Sequence, residues 1–441
     1  MSYAAAIDQL NAMAPELFAS PGQRRRKFSL DEVRTLLGAL GNPQSAFRSV
    51  LIAGTNGKGS TAATLASILT AAGHRTGLYT SPHLERPNER IRMDRAEISD
   101  SDFARLLFLV SDTGEQLLSS GKLPQLPSYF ETLTAVAFLY FAERKIDIAV
   151  LEVGLGGRLD ATNVVDPLLS IITDISLDHM EWLGDTITAI TREKAGILRR
   201  AGTMITLPQH PEANQALGEV ATELGVRGVS AVPYMPAGVE KGPYSVEALG
   251  ETIEVRSPLA GAHQQRNVAL AIAAAVELTT KNEIHVTAAA LEEGIRSTSW
   301  PGRLERIAIG GVDWILDVAH NPAGAWALRA GLRSALRDDE PRILVFSCLR
   351  DKPLAEMAQI LFPLFEKVIV APIHAARAAV LEDLFAAAQA TGTPAVTADS
   401  VREALEIARE RSARGVAVVS GSVYLVGEAR AILLAGKGTR E

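Results

Sequence analysis

Two α/β domains with mostly parallel sheets are predicted for this chain, on three observations. Short apolar runs of strand length alternate with amphipathic stretches of helical period along most of the sequence, the pattern of parallel strands wrapped by helices. The length, 441 residues, exceeds what one hydrophobic core comfortably fills. The segment Ser-Thr-Ser-Trp-Pro-Gly, 297–302, reads as a linker, which divides the chain into a first domain over 1–296 and a smaller second one over 303–441.

The first strand is the apolar run Val50-Leu51-Ile52-Ala53. It runs into Gly54, Thr55, Asn56, Gly57, Lys58, Gly59 and Ser60, and a helix is expected from Thr61 to Ala72. Strand, glycine-rich turn and helix are the context a phosphate loop needs: glycines let the backbone aim its N–H groups at an anion, and the helix N-terminus adds a positive dipole end. Lys58 would lie along the β- and γ-phosphates of a nucleotide, and the Ser60 hydroxyl would reach a bound Mg²⁺. The spacing departs from G-x-x-x-x-G-K-[ST], because Gly59 separates the lysine from the hydroxyl residue.

Further along, Ser128 to Glu143 places Phe130, Leu133, Ala137, Phe138 and Phe141 at helical spacing, one buried helix face. Ile148 to Leu151 is a short buried strand ending on Glu152, and Leu169 to Thr173 is another. Residues 208–260, richer in Gly and Pro, read as small antiparallel strands, and a helix follows from about 262 to 278. In the second domain, strands at 314–318, 342–348, 367–371 and 415–419 alternate with helices near 322–336, 353–365, 380–390, 400–411 and 422–434.

Carboxyl ends of parallel strands are where such sheets place ligand chemistry. Glu152 is one such residue, set before Gly154-Leu155-Gly156-Gly157-Arg158-Leu159-Asp160-Ala161-Thr162-Asn163, and it suits a divalent cation beside a triphosphate. Asp178-His179 follows the next strand, whose carboxyl end should open onto the same crevice; a histidine ligand suits Mn²⁺ at least as well as Mg²⁺. Asp317 and His320 sit at a strand end in the second domain, and Arg303, just past the linker, could swing onto a phosphate. Lys194, in Thr-Arg-Glu-Lys-Ala-Gly, has the mixed-charge surroundings of a solvated helix face.

Composition excludes several classes. Apolar residues make up 47% and charged residues 22%, an ordinary globular balance, and the net charge of −7 recommends no nucleic-acid partner. The single cysteine, Cys348, forms no internal disulfide and fits a reducing cytoplasm. The N-terminus, with Asp8 and Glu16 and no clean apolar core, does not read as a secretory signal, and no 18-residue apolar run suggests a membrane span. No Ser-His-Asp order, CxxC pair or HExxH helix supports a hydrolytic triad or a zinc site.

Taken together, Gly54–Ser60, Ser81-Pro82-His83-Leu84, Asn88-Glu89-Arg90-Ile91, Tyr129-Phe130-Glu131, Glu152–Asn163, Leu177-Asp178-His179, Arg192–Gly196, His263–Asn267, Pro301-Gly302-Arg303 and Asp317–Pro322 resemble the folylpolyglutamate synthase/dihydrofolate synthase family, part of the wider Mur ligase superfamily. The resemblance is colinear over roughly 30–430. It implies a P-loop-type ATPase domain followed by a Rossmann-like glutamate-ligase domain. It further implies an ATP-dependent ligase that joins L-glutamate to dihydropteroate or a reduced folate through an acyl phosphate, as a cytoplasmic monomer. By the same resemblance Ser60, Glu152 and His179 would hold metal, and Lys194 would be carbamylated. Asn267 and Arg303 would contact ATP, Asp317 and His320 would stand near the nucleotide and incoming glutamate, and Ser81, Pro82, His83, Tyr129, Phe130 and Glu131 would form the pterin pocket. Chemistry on both sides of the linker implies that neither domain alone catalyses the reaction. Two other readings are a Mur-type ligase acting on a cell-wall nucleotide peptide, whose uridine-sugar pocket usually lies on an extra N-terminal domain longer than residues 1–48, and a nucleotide-binding regulatory protein without chemistry.

Overall fold

The computed structural model describes residues 2–13, 29–238, 242–281, 283–335, 342–411 and 415–436. The chain forms two compact units: Met1–Pro82, Pro87–Ser257 and Arg266–Thr298 make the first, and His83–Arg86, Pro258–Gln265 and Ser299–Glu441 the second. Two short segments from the first part of the sequence therefore belong to the second unit.

The first unit is built on eight strands: β1 (Arg48–Ala53), β2 (Thr76–Tyr79), β3 (Ile91–Met93), β4 (Ala96–Glu97), β5 (Ile148–Glu152), β6 (Leu169–Ile172), β7 (Thr203–Thr206) and β8 (Arg227–Ser230). Their order is β4-β3-β2-β5-β1-β6-β7-β8, with β3 antiparallel to both β2 and β4 and every other pairing parallel. β5 is buried along its whole length and β1 at all but its first residue, so both faces are covered, which is why these strands read as continuous apolar runs. The helix Tyr129–Glu143 begins with a capping box in which the Ser128 hydroxyl accepts from Glu131 N and the Glu131 carboxylate accepts from Ser128 N.

In 208–260 the sequence pattern and the structure part company. A helix spans Pro211–Leu224, β8 joins the large sheet in parallel, and only then does an antiparallel hairpin, β9 (Tyr244–Ala248) and β10 (Glu251–Val255), appear. Proline at the first helical position and Ala213, Ala216 and Leu217 on one face build that helix. The helix Asp100–Ser119, capped by Ser99, also escaped the reading by period.

The second unit carries β11 (Glu305–Ile309), β12 (Val312–Asp317), β13 (Arg342–Phe346), β14 (Lys367–Val370), β15 (Ala395–Thr397) and β16 (Val416–Ser420) in the order β11-β12-β16-β13-β14-β15, parallel except for β11. The helix expected over 353–365 stops at Leu361 and gives way to a 3₁₀ turn at Phe362–Leu364, where Pro363 removes a backbone donor. Residue 336, the expected end of the helix after β12, and Glu16 lie outside the described residues.

Candidate active site

In the first sheet β1 lies between β5 and β6, so the strands that lead to Glu152 and to His179 are not neighbours; the phosphate loop separates them along one carboxyl edge. The helix after the loop starts at Lys58, three residues earlier than the pattern suggested, because Gly57 takes φ 88°, a left-handed conformation that an L side chain adopts only at a cost. The first helical bond runs from Thr61 N to Gly57 O at 2.9 Å, so the amides of Lys58, Gly59 and Ser60 have no partner within the helix and can face an anion.

The loop is held from two sides. Thr55 N and Asn56 N donate to Asp174 O at 2.9 and 3.1 Å, and Thr55 Oγ1 donates to Ser176 O while accepting from Ser176 N. A Cβ at Gly54 would lie 1.8 Å from Thr173 Oγ1, and one at Gly57 would lie 2.2 Å from Asn267 Oδ1. Asn267 is thus seated directly on the loop, where its role as a nucleotide contact was expected.

Two lysines converge on one carbonyl. Lys58 Nζ donates to Gly54 O and Thr55 O, both at 3.1 Å, and Lys194 Nζ donates to Gly54 O at 2.7 Å. Lys194 is 4% exposed, which overturns its reading as a solvated helix position. The backbone of its helix, Ile187–Ala195, is closed over by Gly157, where a Cβ would stand 2.8 Å from Lys194 O. Burial, and next the Lys58 charge, push the Lys194 amine down to about 7.

Glu152 is 4% exposed and accepts from Ser81 N at 3.1 Å. Ser60 is buried in the first helical turn. His179 adopts φ 50° before the four-residue helix Met180–Leu183, and its Nε2 lies 3.9 Å from Asp178 Oδ2. No group of three or more His, Cys, Asp or Glu residues that could hold a metal occurs among the described residues.

Beside β5, the loop 154–163 is folded around the buried Asp160 carboxylate, which accepts from Gly154 N, Leu155 N, Thr162 N and Thr162 Oγ1. Burial pushes that carboxyl up, against these donors. The loop walls a cavity of about 120 Å³ lined by Phe130, Glu131, Leu155, Gly156, Trp182 and Leu183, with the ion-paired Arg158 and Glu193 also in its lining. Phe130 packs against Tyr79, ring centroids 5.9 Å apart, and Tyr129 lies under the Arg90 guanidinium at 5.2 Å. Glu131 lines the cavity, yet its carboxylate also serves the capping box, a pattern present in the sequence as Ser128-x-x-Glu131.

In the second unit, Asp317 ends β12 and accepts from Leu304 N at 2.9 Å and Ala319 N at 3.0 Å. Burial pushes its carboxyl up, opposed by the charges of Arg303 and His263. His320 Nδ1 is 3.0 Å from Val318 O, and Arg303 Nη1 donates to Gly302 O at 3.0 Å. Of the segment expected to form the pterin loop, Ser81 and Pro82 belong to the first unit and His83 to the second. Sequence reasoning assigned no part to Asp174, Ser176, Trp182 or Arg266; for Asp174 the signal was available, since it follows the carboxyl end of an apolar strand.

Comparison with known proteins places these features. The Mur ligase middle domain matches residues 52–275, and the Mur ligase glutamate ligase domain matches 302–423. The dihydrofolate synthase/folylpolyglutamate synthase of Bacillus subtilis (strain 168) is 34% identical over 420 residues, 92% of this chain and 94% of that protein. Among solved structures, Mycobacterium tuberculosis folylpolyglutamate synthase complexed with ADP has a TM-score of 0.85 at 31% identity, covering 98% of this chain and 99% of that one. E. coli FolC in complex with DHPP and ADP has the same TM-score and identity, and covers 99% of both. The chain belongs to the folylpolyglutamate synthase/dihydrofolate synthase family.

Proposed function

We propose that this enzyme uses ATP to join L-glutamate to dihydropteroate and to reduced folates, with ADP and phosphate as products. The observation that carries the reading is the convergence of Lys58 and Lys194 on the Gly54 carbonyl, at a loop whose helix presents free amides. The ADP of the Mycobacterium relative, and the DHPP and ADP of the E. coli one, support it by kinship.

In the first step an oxygen of the acceptor carboxylate attacks the γ-phosphorus, the bond to the β–γ bridging oxygen breaks, and ADP leaves. In the second, the glutamate amine attacks the acyl carbon of the resulting acyl phosphate. The tetrahedral intermediate expels phosphate, and the amine proton is lost to form the amide. Charge develops on the transferring phosphoryl oxygens, so the chain needs fixed positive groups more than a nucleophile. We assign Lys58 and the first-turn amides to the phosphates, Asn267 and Arg303 to the nucleotide, and Asp317 and His320 to the nucleotide and incoming glutamate.

The donor set suits a divalent cation. Ser60 and Glu152 offer oxygens, as Mg²⁺ prefers, and that ion usually keeps waters and phosphate oxygens among its other ligands. His179 would complete the set and extend it to Mn²⁺. Such an ion would neutralise phosphate charge. Lys194, with its amine poised near neutrality, is suited to react with CO₂, forming a carbamate and releasing one proton; the product replaces a buried cation by an anion that a divalent ion favours. The cavity at Phe130 and Trp182, lined by aromatic and aliphatic side chains together with Glu131, Arg158 and Glu193, is the place assigned to the flat pterin ring, with Tyr129, Ser81, Pro82 and His83 assigned to the same acceptor.

ADP release with glutamate tests the reading. Turnover with dihydropteroate and with tetrahydrofolate, and none with a uridine-linked muramyl peptide, is the expected result. Turnover with the muramyl acceptor alone rejects the folate assignment, and no turnover with any acceptor favours a regulatory nucleotide binder.

A further inference from the structure

The phosphate loop does not hold itself. Two of its amides, Thr55 N and Asn56 N, are tied to the Asp174 carbonyl, and the Thr55 hydroxyl is tied to Ser176. The segment 173–176 is in turn gripped at its ends. Gln209 accepts from Ile175 N at 2.9 Å and donates to Thr173 O at 3.2 Å. Arg266 Nε donates to Asp174 Oδ2 at 2.9 Å and its Nη2 to Asp174 Oδ1 at 2.5 Å, a forked pair, and Nη2 also donates to Pro208 O at 3.0 Å. The next residue on the same helix (Ala262–Thr280) is Asn267, whose side chain abuts Gly57. Two consecutive residues thus brace the two ends of the loop, one through Asp174 and one directly.

We propose that Arg266 is a positioning residue for nucleotide binding, acting through Asp174 on the loop amides; this rests on the assignment of that loop to ATP phosphates. A planar guanidinium fork fixes the carboxylate in orientation as well as in distance, which an ammonium does not. Fixing the carboxylate fixes the carbonyl of the same residue, and with it Thr55 and Asn56. The pair is partly open to solvent, with side-chain exposures of 29% and 40%, so its loss should weaken binding moderately and should leave the fold intact.

The test is direct binding of AMPPCP, a non-hydrolysable ATP analogue, alongside steady-state kinetics for the acceptor. Arg266→Ala is expected to raise the AMPPCP Kd about tenfold, in the range of couplings between residues of one network, with the acceptor KM within twofold of wild type. Arg266→Lys should recover only part of that loss. Asp174→Ala should match Arg266→Ala, and the double variant should be no weaker than either. A Kd rise below threefold, an equal rise in the acceptor KM, full recovery by lysine, or additive single effects overturns the proposal. If Arg266→Ala does not fold, Asp174→Asn, which keeps the side-chain shape and removes its charge, is judged by the same Kd and KM criteria. Failure of the wild-type enzyme to bind AMPPCP would instead reject the assignment of the loop to ATP.

Discussion

Replacing Lys194 by methionine separates the two things its burial implies. Methionine has nearly the same length and volume and no charge, so the packing under Gly157 is kept. Lowering the amine from its ordinary 10.5 to about 7 corresponds to ~5 kcal/mol of preference for the neutral form, at about 1.4 kcal/mol per pH unit. Between pH 7 and 10.5 the unfolded chain binds a proton that the folded chain does not, so wild-type stability rises with pH across that window and is level below it. Integrated, the cost of burying this amine is ~2 kcal/mol at pH 9 and nearly 5 kcal/mol at pH 6. The variant escapes that cost and loses the hydrogen bond to Gly54 O, about 1 kcal/mol at either pH, which cancels in the comparison. Relative to wild type, Lys194→Met should therefore be more favoured at pH 6 than at pH 9, by about 2–3 kcal/mol. Urea unfolding of both proteins at the two pH values, in buffer freed of CO₂, measures this. A stability difference that is the same at pH 6 and pH 9 would refute an amine held near neutrality by its burial. The same variant should be a folded protein without ligase turnover.

Lys58→Ala should keep its unfolding temperature and lose ~10²–10³-fold in kcat, as for removal of one fixed stabiliser of developing charge; near wild-type turnover would remove Lys58 from the phosphates. Gly294→Ala should destabilise by ~1–3 kcal/mol or more, because its Cβ would meet Ile68 Cα at 2.3 Å and Ile68 N at 2.7 Å, backbone atoms of the phosphate-loop helix that no rotamer can move aside. An unchanged thermal midpoint for that variant would mean that Gly294, in the helix Ala288–Arg296, is not in such close contact with the phosphate-loop helix.

What the sequence showed plainly is what local pattern controls. β1, β5 and β6 announce themselves as apolar runs because both their faces are buried, and the strand, glycine-rich turn and helix around Lys58 stand in the order the pattern gave. The order β5-β1-β6 was not legible, since crossover connections leave no mark on which strands pair. Lys194 misled because its neighbours in sequence, Arg192 and Glu193, do face outward into ion pairs with Glu219 and Arg158, while one helical position on it turns under Gly157. Glu131 was assigned to the pterin pocket by resemblance, although its spacing from Ser128 already specified a cap. The grip of Arg266 on Asp174 joins residues 92 apart in sequence, a pairing that only the folded chain reveals.

The assignment of 83–86 and 258–265 to the second unit has a consequence for how this molecule can be taken apart. The chain passes from one unit to the other at 82/83, 86/87, 257/258, 265/266 and 298/299. The earlier of the two inserts is anchored within its unit by Arg430, whose guanidinium reaches both Glu85 and Glu305, and by Leu84, whose carbonyl leaves no room for a side chain at Gly427. Cutting the polypeptide at the single apparent linker would therefore strip the later part of segments that belong to its own compact unit and leave them stranded on the earlier part. The halves of this enzyme are not interchangeable cassettes, and a fragment swap or split-protein design has to carry both inserts with the segment they complete.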